Sequence, residues 1–176
     1  MAAFGGLTVL EIKTSGSVKV RSADVSDAAR TSLNRNLLMF YTNTSRSAAI
    51  ILSGQDRDIK NNIKAVVENM HYIKETGYKI LEAVESGNIT EVGLLFHKHW
   101  QHKKRLSPLM SSPYFDGVYD AARRSGALGG KLVGAGGGGF FVFYIEKDPV
   151  KLRRVMAGLG MTELRYGFDS EGTKVL

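Results

Sequence analysis

The chain has 176 residues, 43% of them apolar, and a net charge of +7. That is length enough for one domain with a proper core, and a charge that favours anionic partners without naming one. It contains no cysteine, which excludes disulfides, zinc–thiolate sites and thiol catalysis. No apolar run approaches a membrane span, and Met1-Ala2-Ala3-Phe4-Gly5-Gly6 lacks the basic-then-apolar pattern of a secretory signal, so the expected setting is the cytoplasm, away from membrane.

Leu7–Ile12 and Val18–Val20 read as two strands of a hairpin turning at Gly16. Asp27–Asn36 is a weak helix or turn. Leu37–Thr42 is a continuous apolar run bounded by Asn43, the pattern of a buried central strand. Thr44-Ser45-Arg46-Ser47 then opens a helix carrying Ala48, Ile51 and Leu52. Its hydroxyls read first as caps for backbone donors; with Arg46 beside them, the alternative is an anion site at the helix start. Ile63, Val66, Val67, Met70, Ile73, Gly77, Ile80, Leu81 and Val84 keep helical spacing and predict the longest helix, its stripe facing the core. Gly77 would mark a kink or a close crossing. Ser86-Gly87-Asn88 ends that helix, and Thr90 is expected to cap the next, with Val92, Leu95, Phe96 and His99 inward.

That helix runs into Lys98-His99-Trp100-Gln101-His102-Lys103-Lys104-Arg105. His99-x-x-His102 has no third ligand at useful spacing and does not complete a metal site. The cations read as complements to the helix dipole, ahead of a nucleic-acid contact assisted by Trp100. Ser107-Pro108 breaks the chain, and Ser111-Ser112-Pro113 opens a helix with Phe115, Val118, Tyr119 and Ala122 inside. Ala127–Val133 and Phe140–Ile145 read as strands. Asp148-Pro149 starts a helix with Val150, Leu152, Val155 and Met156, ended by Gly158 and Gly160. Thr162–Tyr166 and Thr173–Leu176 finish as strands. With no repeat or dividing linker, the whole of 1–176 is expected to be a single α+β domain, an antiparallel sheet with helices packed mainly on one face.

Between the strands lies the most unusual stretch: seven of the eleven residues from Gly129 to Gly139 are glycine. Gly134-x-Gly136-x-x-Gly139 matches the dinucleotide-binding spacing, but a strand follows it where that motif requires a helix. The phosphate-loop pattern also fails, because no Gly-Lys-Ser/Thr closes the loop and Lys131 precedes it. Two readings remain open: a cradle of backbone N–H donors for an anion, or a tight connection whose glycines permit close packing.

Several stretches together resemble the C-terminal half of the GHMP small-molecule kinases. They are Ala2-Ala3-Phe4-Gly5-Gly6, Leu38-Met39-Phe40-Tyr41-Thr42-Asn43-Thr44-Ser45-Arg46, His97-x-His99-Trp100-x-x-Lys103-x-x-Leu106-Ser107 and Gly126–Phe140. The His-x-His-Trp block and the aromatics after the loop are most similar to the D-glycero-D-manno-heptose 7-phosphate kinase branch. The resemblance implies a ferredoxin-like domain and ATP- and magnesium-dependent transfer of phosphate to the anomeric hydroxyl of a heptose phosphate. It implies that Gly134, Ala135, Gly136, Gly137, Gly138 and Gly139 support the nucleotide phosphates. Ser45, Arg46, Lys103, Lys104, Ser107 and Lys131 become candidates for the sugar phosphate or the nucleotide. No catalytic residue and no metal ligand is assigned, because the family's Gly-Leu-Gly-Ser-Ser phosphate loop and its catalytic acid have no counterpart here. We therefore expect a C-terminal domain without its ATP-binding half, inactive alone, whose partners are a sugar phosphate and that missing half. An apolar face left bare would favour pairing of two copies. The alternatives are a free-standing anion- or nucleic-acid-binding module, nucleic acid being the less favoured ligand, or an oligomerising remnant.

Overall fold

A computed structural model describes residues 4–44, 47–61 and 63–173. The expected hairpin forms from β1, Thr8–Ile12, and β2, Val18–Ser22, paired antiparallel, with Gly16 at φ 82° in its turn. It stands as a two-stranded sheet of its own, so the single sheet expected from sequence is in fact two. Asp27–Asn36 is a full helix, α1. Ser26 caps it by accepting from the Ala29 N–H at 3.2 Å, and Ala29 and Leu33 are buried.

The main sheet is built around β3, Leu37–Tyr41, as its continuous apolar run requires. β3 lies between β5, Phe140–Tyr144, and β6, Thr162–Leu164, while β4, Gly129–Leu132, forms the edge beyond β5; every pairing is antiparallel. Alternate strand residues share a face, which puts Leu38, Phe40, Leu132, Phe141 and Phe143 together in the principal core. Trp100, Tyr119, Leu152 and Met156 cover that face from three helices, which are α4, Ile89–Lys103, α5, Pro113–Arg124, and α6, Pro149–Gly158. Tyr144, on the opposite face, joins Ala29, Leu33, Val92 and Leu95 in a second cluster.

Local chemistry explains most helix boundaries. Ser112 caps α5 by accepting from the Phe115 N–H, Pro113 follows it, and Phe115, Val118, Tyr119 and Ala122 are buried as the spacing predicts. Asp148 caps α6 through the Lys151 N–H, but Val150 is 60% exposed because it sits on the outer side of the first turn. Thr90 lies inside α4 rather than capping it. Asn88 holds the cap position, and the Thr90 hydroxyl donates to Glu146. Ser47 precedes α2, Ala48–Lys60, without a side-chain cap bond; Ser45 and Arg46 lie outside the described residues, as do residues 174–176 of the last expected strand.

The long helix α3, Lys64–Glu85, packs against α4, but its stripe is less buried than its regularity suggests. Val66 and Val84 are buried, whereas Ile63 and Met70 are 43% and 39% exposed. Ile63 is the cap residue before the helix and Met70 borders a cavity with Leu52 and Ile73, while farther along a groove of about 770 Å³ separates α3 from β1, lined by Leu7, Val9, Leu10, Tyr78, Ile80 and Leu81. Gly77 faces this opening, and a Cβ added there would meet nothing within 4 Å, so it marks no close crossing. Gly77→Ala is therefore expected to stabilise the fold by about 0.5–1 kcal/mol, a rise of about 2 °C in thermal midpoint; a fall on calorimetry would mean that the position is occupied. Among the described residues no helix is long and apolar enough to cross a membrane.

Candidate functional site

The glycine loop joins β4 to β5, and its base is closed by the Val133 N–H donating to Phe140 O at 2.9 Å. Gly134, Gly136, Gly137, Gly138 and Gly139 all have positive φ, from 70° to 151°, which L side chains rarely adopt. The two ends of the loop differ in use. At the far end Gly137 donates to Met110 O at 3.1 Å and Gly139 to Thr44 O at 2.8 Å, while the Thr42 N–H and hydroxyl both reach Gly139 O. A Cβ at Gly136 would lie 2.0 Å from the Met110 sulfur, and one at Gly138 would lie 2.6 Å from Thr44 O. Here the glycines serve close packing. At the near end Gly134 is exposed and Ala135 half-buried. Among the described residues their N–H groups meet no acceptor, so this end keeps the donors an anion would need.

Lys103, at the end of α4, crosses to this loop and donates to Leu132 O at 3.2 Å and Gly134 O at 2.7 Å. With those two carbonyls held by an ammonium group, the near end of the loop presents donors rather than acceptors. Lys131, on β4, places its Nζ 5.5 Å from the centre of the Phe96 ring, a cation–π contact. Both lysines line a cavity of about 280 Å³ with His99, Gly134 and Ala135. Burial lowers Lys103 to about 8, with the charge of Lys131 adding to the effect, and burial likewise lowers Lys131. His99 is held down to about 3, first by burial and then by Lys131, Lys103 and His102. It is 8% exposed, and its Nδ1 has no hydrogen-bond partner among the described residues.

The neighbouring histidines have structural partners. His97 Nδ1 lies 2.8 Å from the Tyr119 hydroxyl, whose pKa burial pushes up to about 12. His102 Nδ1 lies 2.7 Å from Asn69 Oδ1, and its ring stacks on Tyr72 with centroids 3.5 Å apart. Among the described residues no three His, Asp or Glu side chains gather to hold a metal ion.

The structure thus brings together Lys103, Lys131, Gly134 and Ala135 from the sequence candidates. Ser107 and Lys104 stand apart, beside the start of α5: Ser107 Oγ accepts from the Leu109 N–H, and Lys104 is paired with Asp116 at 3.0 Å. Gly136–Gly139 form the packed end of the loop, and Ser45 and Arg46 are not described. Sequence reasoning missed the floor of the loop, Met110 and Thr44, for which no local pattern exists. It placed His99 on an inner helix face but not at a cavity. The available signal was its position one turn before Lys103 on the same helix.

Residues 80–159 match the family model "GHMP kinases C terminal". The chain is 28% identical over 176 residues to a D-glycero-alpha-D-manno-heptose 7-phosphate kinase of Campylobacter jejuni, covering 98% of this chain and 51% of that protein. Among solved structures, a putative sugar kinase from C. jejuni aligns with a TM-score of 0.65 at 26% identity, covering 97% of this chain and 48% of that one. The fold is also that of L. major mevalonate kinase, with a TM-score of 0.73 at 16% identity over 94% of this chain and 50% of that one. The chain spans about half the length of these relatives. Over residues 80–159, which hold the glycine loop and the helices beside it, the chain matches the C-terminal domain of the GHMP kinases.

Proposed function

We propose that this chain is the loop-bearing domain of an ATP- and magnesium-dependent sugar kinase that phosphorylates the anomeric hydroxyl of D-glycero-D-manno-heptose 7-phosphate. The observation that carries the reading is the similarity to the Campylobacter heptose 7-phosphate kinase, which runs through 98% of this chain. Phosphoryl transfer depends chiefly on positioning and on neutralising charge, and the near end of the loop suits that work. The N–H groups of Gly134 and Ala135 would meet oxygens of the ATP phosphates or of the segment that holds them, while Lys103 keeps the adjoining carbonyls turned away. ATP supplies the phosphoryl group; this chain contributes orientation and donors. The residues that hold magnesium and orient the acceptor hydroxyl would come from a partner half bearing a phosphate loop, so these 176 residues alone would not turn over.

Isothermal titration with Mg-ATP and with heptose 7-phosphate, followed by a transfer assay on the same samples, tests this. Binding without turnover is the expected result, with turnover appearing when the chain is fused to the part of the Campylobacter relative that it does not match. Turnover by the chain alone would overturn the division of labour. A fusion that binds and phosphorylates neither heptose 7-phosphate nor another sugar would overturn the kinase reading.

A further inference from the structure

We propose that two copies of this chain pair face to face through the outward side of the β1–β2 hairpin, with Leu10, Ile12, Val18 and Val20 of each copy packed against those of the other. Nothing in this inference depends on the kinase reading.

The hairpin is turned the wrong way round for a free surface. Alternate residues of a strand share a face, and the register sets Leu10 opposite Val20 and Ile12 opposite Val18. Those four aliphatic side chains, with Thr8 and Ser22 at one end, make up one face, which carries no charge. All four are exposed, Ile12 by 72% and Val18 by 53%. Glu11, Lys19 and Arg21 lie on the other face, and that face turns toward the body of the domain, where Arg21 pairs with Glu85 at the end of α3. A hairpin bounded by water would carry its charges outward and its aliphatic side chains inward. Two strands without a third or a covering layer are also marginal in water, and these two form a sheet of their own. A contiguous exposed apolar face of this kind marks an interaction surface.

Charge identifies the occupant as a second copy. The face offers an acidic or a basic partner nothing to pair with, whereas two identical aliphatic faces meet around a two-fold axis without setting like charges together. Such a stack holds the hairpins about 10 Å apart, the spacing of packed sheets. Pairing by the β2 edge is disfavoured for the opposite reason. Centred on Val20, it sets Lys19 against Arg21 of the copy, and in the neighbouring registers lysine meets lysine or arginine meets arginine. Leu10 and Ile12 also border the groove between α3 and β1, so the apolar surface continues past the hairpin. One hairpin face covers only about 17 Å by 10 Å, small beside the roughly 800 Å² per partner of a standard interface. The pair is therefore weak and forms as the protein is concentrated. The charge of +7 on each copy opposes it at long range, and salt, by screening that repulsion, favours it.

Sedimentation equilibrium of the chain over a range of concentrations tests the pairing, beside Ile12→Lys, Val18→Lys and the exposed control Val150→Lys. Reversible dimerisation is expected, strengthened by added salt, weakened about tenfold or more in the two hairpin variants and unchanged in the control. A second measurement needs no variant: the methyl resonances of Leu10, Ile12, Val18 and Val20 should shift together with concentration, and those of Val150 should not. A monomer at every concentration overturns the pairing. So does association that salt weakens, or that survives both hairpin variants with these methyls unmoved, since either places the contact elsewhere. If the chain alone stays monomeric and the same methyls shift only on fusion to the part of the Campylobacter relative that it does not match, that part covers the face and the second copy is overturned.

Discussion

Acidification from pH 6.5 to pH 3 is expected to remove roughly 4 kcal/mol of stability through His99 alone. Burial, then the charges of Lys131, Lys103 and His102, lower its folded pKa from 6.5 to about 3. Within that window the unfolded chain binds a proton that the folded site refuses, so stability rises with pH across it and falls as acid is added. The neutral imidazole's contribution is complete above the unfolded value and is lost toward the folded one. Denaturant unfolding of the wild type and of His99→Gln at successive pH values, in phosphate-free buffer, checks this. The wild type's advantage should shrink steadily between the two pKa values. Parallel curves would show that the imidazole takes a proton in place, and so that the cavity wall is wetter than its burial implies.

Gly129→Ala should be the most damaging single-methyl change in the chain. A Cβ at Gly129 would lie 2.0 Å from Gly93 O and 2.6 Å from His97 N, both of them backbone atoms of α4. One at Gly93 would lie 2.4 Å from the Tyr144 ring. Helix and strand therefore meet backbone to backbone along the sheet edge, and no side-chain rotation relieves the clash. Overpacking of this kind costs about 3 kcal/mol, a fall of about 6–12 °C in thermal midpoint for a domain of this size. Gly134→Ala is the useful comparison. Its Cβ would meet nothing within 4 Å, although φ is +82°, so it carries only a left-handed strain of about 1–2 kcal/mol. Equal losses in the two variants would mean that α4 does not press on β4.

The sequence was most legible where one residue's neighbours in the chain decide its fate. The unbroken apolar run of Leu37–Tyr41 forms an inner strand, the Ser112-Pro113 pair starts α5, and the glycine loop joins two strands. It was least legible where the deciding contact lies far along the chain. Periodicity reports that one side of α3 is apolar, not that β1 stands off from it across a groove. Nothing near Gly129 announces Gly93, and nothing near Gly138 announces Thr44. The loop's composition fits two uses equally, and only the positions of Met110 and Lys103 assign packing to one end and open donors to the other. The candidate site follows the same pattern: Lys103 and Lys131 were found as cations, but their meeting with His99 in one cavity depends on how α4 lies along β4.

Trp100, the single tryptophan of the chain, is fully buried, with Phe141 edge-on at 5.8 Å and Tyr119 tilted at 6.1 Å. The protein therefore contains one indole, in a dry setting, and its emission, excited at the red edge where tyrosine does not absorb, follows the core beneath the glycine loop. It takes no light from the β1–β2 hairpin. Far-ultraviolet circular dichroism reads the whole backbone, so coincident transitions by the two probes would mark a single cooperative unit. A dichroism change that precedes the fluorescence change would be the signature of the hairpin leaving first, with the loop-bearing core still intact.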